Sequence, residues 1–461
     1  MNVKKINVYK TLILFLLSHI FIWTFIPSIS NNNLPLDTIE HLAWASDLQF
    51  GYGKHPPLSA WVLEIFYQIF GKQDWAYYFL SQLFVGSAFI VIFLFSQDFL
   101  KNKFYGIISI LLLEGIYFYN FTTPEFNVNV CQIPFWALTI YFCWKGIEEG
   151  NIINWLLFGV FASLGVLSKY LFIYLLVAID VFFIYLIIKK KFDPKSLISL
   201  LSFFIILIPH IVWLLDNNYT TITYAMHRTG IGEEEFFKAH ILNPLIFLGK
   251  QILILVPFLI MFLFIISKYK IKLKLKDKKL LFLIIINLFP ILLMFFTSLL
   301  MGIKIRTMWM TPFYLFFGVL FLYIFQNVIT YKKIKYFFSI FIFLFFFSPF
   351  VYFYISVTES DKRTDYPGEE ISNTVQRKWD DNFTNKIELV SGDEWHGGNL
   401  SYHLESRPKW DNILANDKKN PILNPNSGFV IIGDIDILRK ICSGVFFETY
   451  GQGVCMIGNK R

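Results

Sequence analysis

Long apolar segments alternate with short polar segments over the first 356 residues of the chain. Most of the apolar segments approach the roughly 20 residues that a helix needs to cross the hydrocarbon core of a membrane. The pattern predicts eleven spans, at residues 11–29, 75–97, 104–122, 130–147, 153–168, 170–188, 196–215, 245–266, 280–300, 310–329 and 336–356. Between the first two spans, Leu58 to Phe70 is amphipathic and is expected to lie along the membrane surface.

The pattern changes after Val357, where Asp, Asn, Gly and Pro become frequent and the apolar runs become short. Lys386 to Val390 and Gly428 to Gly433 are predicted to be strands, and Asp434 to Ile441 is predicted to be a helix. The sequence therefore predicts a multi-pass α-helical membrane protein over residues 1–356. A small α/β domain over residues 357–461 is predicted to lie outside the membrane.

Composition supports this class. Of the 461 residues, 56% are hydrophobic and 16% are charged, whereas charged residues make up about 25% of soluble domains. The formal net charge of +8 does not indicate nucleic-acid binding, because the lysines lie between apolar spans instead of on one basic domain.

The lysines also predict the orientation. With the N-terminus inside, the cytoplasmic segments hold 20 lysines, and the outer inter-span loops hold only 7 lysines or arginines. Cytoplasmic loops of membrane proteins carry an excess of positive charge. The N-terminus is therefore expected in the cytoplasm. An odd number of spans then places residues 357–461 on the outer side.

The first outer loop, residues 30–74, holds the first candidate chemistry. Asp37 and Glu40 are three residues apart and would share one face of a helix. A carboxylate at the outer membrane surface can take a proton from an acceptor hydroxyl. The alternative is that Asp37 caps an interfacial helix, and the two roles are compatible.

Lys54-His55-Pro56-Pro57 follows in the same loop. The two prolines stiffen the backbone, and a cation beside them can hold a phosphate. The alternative is a snorkelling lysine beside a turn.

Glu125 lies in the short second outer loop. A carboxylate that faces lipid is costly, so Glu125 is expected either to face a functional partner or to be solvated.

Four further cations lie on the same predicted membrane face, although cations are disfavoured there. A lipid-linked phosphate would account for them, and phospholipid headgroups are the alternative. These cations are Lys169, Arg228, Lys304 and Arg306.

Three polar residues lie within predicted spans: Glu114, Asp180 and His210. They are expected to face the interior of the helix bundle and to be paired with other polar groups.

Two of the four cysteines, Cys442 and Cys455, lie in the C-terminal domain. The predicted orientation places them outside, where disulfides persist, and the glycines between them allow a turn. We therefore expect a disulfide between Cys442 and Cys455. Cys131 and Cys143 lie in an apolar segment and are expected to stay reduced and buried.

Several functional signatures are absent from the sequence. It contains no Walker A loop, no Gly-x-Ser-x-Gly motif, no pair of broken transporter helices and no inverted repeat. An enzyme that acts on a lipid-linked phosphate, a transporter or flippase of such a lipid, and an envelope scaffold are the alternatives that stay open. The acids and bases on the outer face favour the enzyme, because a transporter would place charges near the membrane midplane.

The motifs together resemble the GT-C membrane glycosyltransferases, and glycosyltransferase family 39 most closely. That family includes protein O-mannosyltransferases, lipid A aminoarabinose transferases and rhizobial galacturonosyltransferases. The matching segments are Asp37, Glu40, Trp44, Gly51-Tyr52, Lys54-His55-Pro56-Pro57-Leu58 and Trp61 in the first loop, Pro124-Glu125-Phe126-Asn127, Leu164 to Tyr170, Tyr366-Pro367-Gly368, and Gly392-Asp393 to Gly398-Asn399-Leu400. The chain departs from the family's common Asp-Glu pair, because Thr38 follows Asp37. It also has Lys54-His55-Pro56 where the aminoarabinose transferases carry Glu-Lys-Pro.

The resemblance implies a GT-C fold and an inverting transfer. The donor would be a sugar on a polyprenyl phosphate, used at the outer face of the bacterial inner membrane. The acceptor would be lipid A, lipopolysaccharide core, another glycan or a protein. Asp37 would be the base that activates the acceptor hydroxyl. No cofactor is required, and a divalent cation is allowed but not indicated. Membrane lipids are the other expected partners, nucleic acid is not one, and the chain is expected to be a monomer.

The resemblance also groups the candidate residues by role. The catalytic set is Asp37, Glu40 and Glu125, the donor-phosphate set is Lys169, Arg306, Arg228, His55 and Lys54, and the acceptor or sugar set is Trp44, Tyr52 and Asn127.

Overall fold

The structure, a computed structural model, describes residues 7–232, 234–267, 276–412 and 427–461. Six of the lysines used to predict the orientation lie outside the described residues, and the side chain of Lys332 is not described either. The six are Lys4, Lys5, Lys268, Lys270, Lys272 and Lys274.

Helices dominate the first 358 residues, and a five-stranded sheet follows. The α-helices are α1 (Val8–Ser30), α2 (Leu36–Ala45), α3 (Leu58–Phe70), α4 (Asp74–Phe99), α5 (Lys103–Leu111), α6 (Val128–Glu149), α7 (Ile152–Ser168), α8 (Ile173–Ile188), α9 (Ile198–Asp216), α10 (Thr220–Arg228), α11 (Asn243–Leu263), α12 (Lys278–Met301), α13 (Phe317–Phe325), α14 (Tyr331–Thr358), α15 (Gly368–Asn382), α16 (His396–His403) and α17 (Ile435–Ile441). The strands are β1 (Ile387–Ser391), β2 (Lys409–Asp411), β3 (Gly428–Gly433), β4 (Val445–Thr449) and β5 (Gln452–Ile457).

Among the described residues, seven helices are long and apolar enough to cross a membrane. The number becomes eight if the helix Thr307–Tyr314 and α13, which are bent by 48° relative to each other, form one broken span. The predicted spans 104–122, 130–147 and 153–168 are not among them. The count of eleven is therefore not confirmed, although the all-helical, multi-span character is.

The predicted span 104–122 is not one helix. Helix α5 ends at Leu111 and is followed by the short 3-10 helices Leu112–Gly115 and Tyr117–Tyr119. The Glu114 carboxylate is buried there and lies 2.7 Å from Nδ1 of His19 on α1. A buried carboxylate needs such a polar partner. The continuous apolar pattern of residues 104–122 does not reveal that the backbone around Glu114 is irregular.

Two of the three polar residues within spans are paired as expected. Glu114 has His19, and His210 lies 2.7 Å from the Tyr170 hydroxyl and 2.6 Å from the Phe50 carbonyl oxygen. The prediction for Asp180 is wrong, because this residue is exposed on α8. Helix α8 buries the stripe Leu175, Ala178, Ile179, Phe182 and Leu186, and Asp180 lies outside that stripe.

The C-terminal sheet has the strand order β2-β1-β3-β5-β4. β1 pairs in parallel with β2 and β3, and β5 pairs antiparallel with β3 and β4. Helix α15 covers the sheet and buries Val375 and Trp379 in the core of this domain. A disulfide joins Cys442 to Cys455 with 5.6 Å between their Cα atoms, as expected, and Cys131 and Cys143 are free and buried.

The sheet domain is docked on the first loop through α16. A Cβ atom added at Gly398 of α16 would lie only 3.1 Å from side-chain atoms of Ile39 and Ala43 on α2, so a larger residue there would press against α2. Nδ2 of Asn33 donates to Oδ1 of Asn399 over 2.9 Å, and Arg407 donates to the Leu42 carbonyl oxygen over 2.7 Å. The domain therefore lies directly against the loop that holds Asp37.

Candidate functional site

Helix α2 places Asp37 in its first turn. Pro35 is the N-cap and makes no side-chain capping bond, so the alternative that Asp37 is the helix cap is wrong. The Asp37 side chain is partly exposed, and its Oδ2 accepts a hydrogen bond from Nδ2 of Asn127 over 3.3 Å. Oδ1 has no hydrogen-bond partner among the residues that the structure describes, and this arrangement suits a carboxylate that takes a proton from an incoming group.

The second outer loop is tied to α2 by three hydrogen bonds. Oε1 of Glu125 accepts from the Asp37 backbone N–H over 3.0 Å, and the Thr38 hydroxyl donates to the Phe126 carbonyl oxygen over 3.1 Å. Asn127 makes the third with Asp37 and also caps α6. Burial, and then the nearby Asp37 carboxylate, raise the pKa of Glu125. A protonated Glu125 adds no negative charge beside Asp37.

Lys169 lies at the break between α7 and the 3-10 helix Tyr170–Phe172. Its Nζ donates to Oδ1 of Asn129 and lies 5.5 Å from the ring centroid of Trp309. Only 5% of Lys169 is exposed, and this burial lowers the pKa of its ammonium group to about 7, against the opposing attraction of Asp37. In the part of the chain that the structure describes, no carboxylate forms a hydrogen bond or an ion pair with Lys169, so its ammonium group has no acidic partner there.

Arg228 is the last residue of α10, and Arg306 directly precedes the 3-10 helix Thr307–Tyr314; the segments that hold them lie side by side. The Lys304 backbone N–H donates to the Thr229 carbonyl oxygen over 3.1 Å. The Trp309 backbone N–H bonds to the Arg306 carbonyl oxygen, which links this loop to the ring under Lys169. Among the described residues, neither guanidinium group has a hydrogen bond or an ion pair. We name Lys169, Arg228 and Arg306 the outer cation group.

Lys54 differs from the outer cation group because two carboxylates hold it. Its Nζ contacts Oε1 of Glu40 and lies 3.0 Å from Oε1 of Glu394. Burial works against the charged form, but the two carboxylates raise the pKa of Lys54. Burial raises the pKa of Glu40 to about 7, although Lys54 opposes the shift. The sequence did not indicate Glu394, which comes from the C-terminal domain.

His55 lies beside His41 and Tyr224, at 6.0 Å and 6.2 Å between ring centroids. Burial lowers the pKa of His55 well below its ordinary value, and the neighbouring basic groups lower it further. His55 is therefore neutral near pH 7 and can act on a phosphate through a hydrogen bond, not through charge.

Sequence reasoning missed His41. Its Nδ1 lies 2.5 Å from the Asp37 carbonyl oxygen, and its buried Nε2 has no partner among the described residues. Burial lowers the pKa of His41 to about 4, so Nδ1 carries the proton and Nε2 carries a lone pair. Its position four residues after Asp37 in a predicted helix is the signal that would have found it.

Trp44 and Tyr52 stack on each other at 5.5 Å between ring centroids and are only 4% and 7% exposed. They line a cavity of about 290 Å³ between the first loop and β2, together with Lys409 and Trp410. Trp44 also contacts His41 edge-on, with 4.7 Å between the ring centroids. Of the predicted acceptor set, Asn127 alone contacts Asp37.

Within the described parts of the chain, no group of three or more His, Cys, Asp or Glu side chains is arranged to hold a metal ion.

Comparison with known proteins identifies chains with the same fold. Residues 54–213 match the family model described as dolichyl-phosphate-mannose-protein mannosyltransferase. No curated protein matches the chain. Two crystal structures of ArnT from Cupriavidus metallidurans, one bound to undecaprenyl phosphate and one in the apo state, match with a TM-score of 0.63 and 11% identity. The matches cover 96% and 97% of this chain, and 97% and 98% of the ArnT chains.

At this identity the structural match establishes a shared fold over nearly the whole chain. Together with the family-model match, it confirms the resemblance to the GT-C membrane glycosyltransferases that the sequence indicated. The chain is thus a multi-pass membrane protein with an ArnT-like fold and a small C-terminal sheet domain.

Proposed function

We propose that this ArnT-like membrane protein is an inverting glycosyltransferase. It moves a sugar from a polyprenyl phosphate onto a hydroxyl group of an envelope acceptor, at the outer face of the bacterial inner membrane. One observation carries the proposal. A partly exposed carboxylate, Asp37, lies close enough to the buried ammonium group of Lys169 to favour its charged form, and the three members of the outer cation group have no hydrogen bond or ion pair to an acid among the described residues.

Asp37 is the base in this mechanism. It takes the proton from the acceptor hydroxyl as the hydroxyl oxygen bonds to the anomeric carbon of the sugar. Asn127 holds Oδ2, and the bond from the Asp37 backbone to Glu125 holds the first turn of α2, so the carboxylate is fixed before the acceptor arrives.

The outer cation group receives the leaving group. The bond between the anomeric carbon and the phosphate oxygen breaks with both electrons going to the oxygen, and the phosphate gains a negative charge. Donors already in place where charge develops stabilise it without reorganisation. Lys169 suits this role because a phosphate beside it favours its charged form. These steps require no nucleotide, and a divalent cation is allowed in them but not indicated.

The orientation of the chain follows the lysine distribution. The outer cation group, Asp37 and the C-terminal domain then lie on the periplasmic side. The disulfide between Cys442 and Cys455 supports this placement, because disulfides persist outside the cytoplasm and are rare within it.

The acceptor defines the second candidate function. The first-loop motifs, which resemble those of lipid A aminoarabinose and rhizobial galacturonosyltransferases, favour a lipid or glycan acceptor, whereas the family-model match over residues 54–213 favours transfer to a protein hydroxyl. A flippase is the less favoured alternative, because the charges described here gather at one membrane face and not near the midplane.

Mass spectrometry tests the proposal directly. Envelope lipids, glycans and proteins are compared between cells with the protein, cells without it, and cells carrying Asp37→Asn. We expect one class of molecules to lose a sugar-sized mass increment in the last two samples alike. If Asp37→Asn cells match cells with the native protein, Asp37 is not the base. If all three samples are identical, the transferase proposal fails.

A further inference from the structure

An ion-pair triad joins the C-terminal domain to the first outer loop. Lys54 contacts Glu40 of α2 and lies 3.0 Å from Glu394, which precedes α16. The side chains of Lys54 and Glu394 keep 28% and 25% of their surface exposed. An incoming ligand can therefore reach both groups.

The backbone around Glu394 is held firmly on both sides. Oδ1 of Asp393 accepts from the backbone N–H groups of Trp395 and His396 over 2.9 Å and 2.7 Å. Nε1 of Trp410 donates to the Gly392 carbonyl oxygen over 3.2 Å. Because α16 is also docked on α2, the position of Glu394 is set by the domain and does not depend on its bond to Lys54.

The charges around Lys54 differ from those around the outer cation group. Lys169 bonds to the neutral Asn129, whereas Lys54 is shared by two carboxylates. The Tyr224 ring lies 6.0 Å from Nζ of Lys54, and the nearby imidazole of His41 is neutral. His55 follows Lys54 in the chain. A phosphate that approaches Lys54 must therefore compete with Glu40 and Glu394 for the same ammonium group.

We propose that Glu394 is a positioning residue that competes with the donor phosphate for Lys54. In the empty enzyme Glu394 keeps Lys54 away from the outer cation group, and a bound lipid-linked phosphate takes the place of Glu394. The long, flexible lysine side chain permits this exchange, since its ammonium group can turn among acceptors. The inference rests on the proposed function, because it assumes a lipid-linked phosphate in the site.

The competition predicts a gain of affinity, which damage to the structure would not produce. Glu394→Gln keeps the size of the side chain and removes its charge, and it leaves the contacts of Gly398, Asn399 and Arg407 in place. Lys54 is then released to the phosphate. We expect undecaprenyl phosphate to bind about two- to fivefold more tightly, the scale of one partly exposed ion pair.

The experiment measures undecaprenyl phosphate binding to the full-length protein in detergent, by native mass spectrometry. Glu388→Gln is the matched control, because Glu388 is an exposed acid on β1 of the same domain, and its affinity should equal that of the native protein. Glu394→Ala should give the same gain as Glu394→Gln. In a Lys54→Met background, Glu394→Gln should produce no gain, because Glu394 acts through Lys54.

Two results would overturn the inference. One is unchanged or weaker binding in both Glu394 variants. The other is an equal gain in Glu388→Gln or in the Lys54→Met background, which would mean a general charge effect. Failure of the native protein to bind undecaprenyl phosphate at all is a different outcome, and it would overturn the proposed function and the inference together.

Discussion

Replacing Asp37 by Asn should separate catalysis from structure. The amide has the size of the carboxylate and still offers an oxygen to Nδ2 of Asn127, and the backbone bond to Glu125 is unaffected. Because Pro35 occupies the N-cap position, no capping bond is lost. The structural cost is the loss of the favourable interaction between a negative charge and the N-terminal end of helix α2, which is worth about 0.3–1 kcal/mol.

The catalytic cost should be much larger. Asn cannot take a proton from the acceptor, and the loss of a general base typically costs 10²–10⁴-fold, or about 3–5 kcal/mol. We therefore expect a normal protein level and at least about a 100-fold slower transfer. The difference between the two costs makes the variant informative.

The assay compares the rate at which the modified envelope molecule appears in cells, with protein levels measured in parallel. Binding of undecaprenyl phosphate to the purified variant should be retained, since Asp37 is not a phosphate ligand. Asp216→Asn is the control, because Asp216 is an exposed acid at the outer end of α9. Transfer within a few-fold of the native rate in Asp37→Asn would refute the assignment, and so would an equal loss in Asp216→Asn.

The remaining predictions address the cation group, the domain contact and the topology. Because the pKa of Lys169 is about 7, its ammonium form is lost above this pH, and undecaprenyl phosphate binding should weaken by up to about tenfold per pH unit. Lys169→Arg should abolish that dependence, and a pH profile like that of the native protein would contradict the role. Gly398→Leu should destabilise the protein by about 1–3 kcal/mol through overpacking against α2, measured by thermal unfolding with Gly433→Ala as control; equal melting temperatures would contradict it. Protease added to intact spheroplasts should cleave within residues 357–461, and cleavage only after lysis would show that the orientation is reversed.

Elements defined by local pattern were predicted from the sequence nearly residue for residue. Helix α3 spans Leu58–Phe70 and strand β3 spans Gly428–Gly433, both as expected, and α17 begins one residue after the predicted start. In these segments the period of apolar residues and the flanking glycines or prolines decide the conformation, and both are visible in the sequence.

The interruption of the predicted span 104–122 could not be read in the same way. Apolar residues continue through it, but Glu114 turns inward to meet His19, about a hundred residues earlier in the chain. Hydropathy measures transfer into lipid residue by residue and contains no information about such a partner. The exposure of Asp180 has the same cause, since helix packing determines which face of α8 is buried.

In the candidate site, too, some features could be predicted from the sequence and others depend on the tertiary structure. Sequence pattern and charge bias alone brought Asp37, Glu125 and Lys169 to one membrane face, because loops between spans must lie on one side or the other. The tertiary structure decided that Asp37 contacts Asn127, that Lys54 is held by two carboxylates, and that one of these, Glu394, comes from a domain more than 300 residues away along the chain. The physical reason is that charge pairing depends on distances of a few ångströms, and only the packing of α16 on α2 sets those distances.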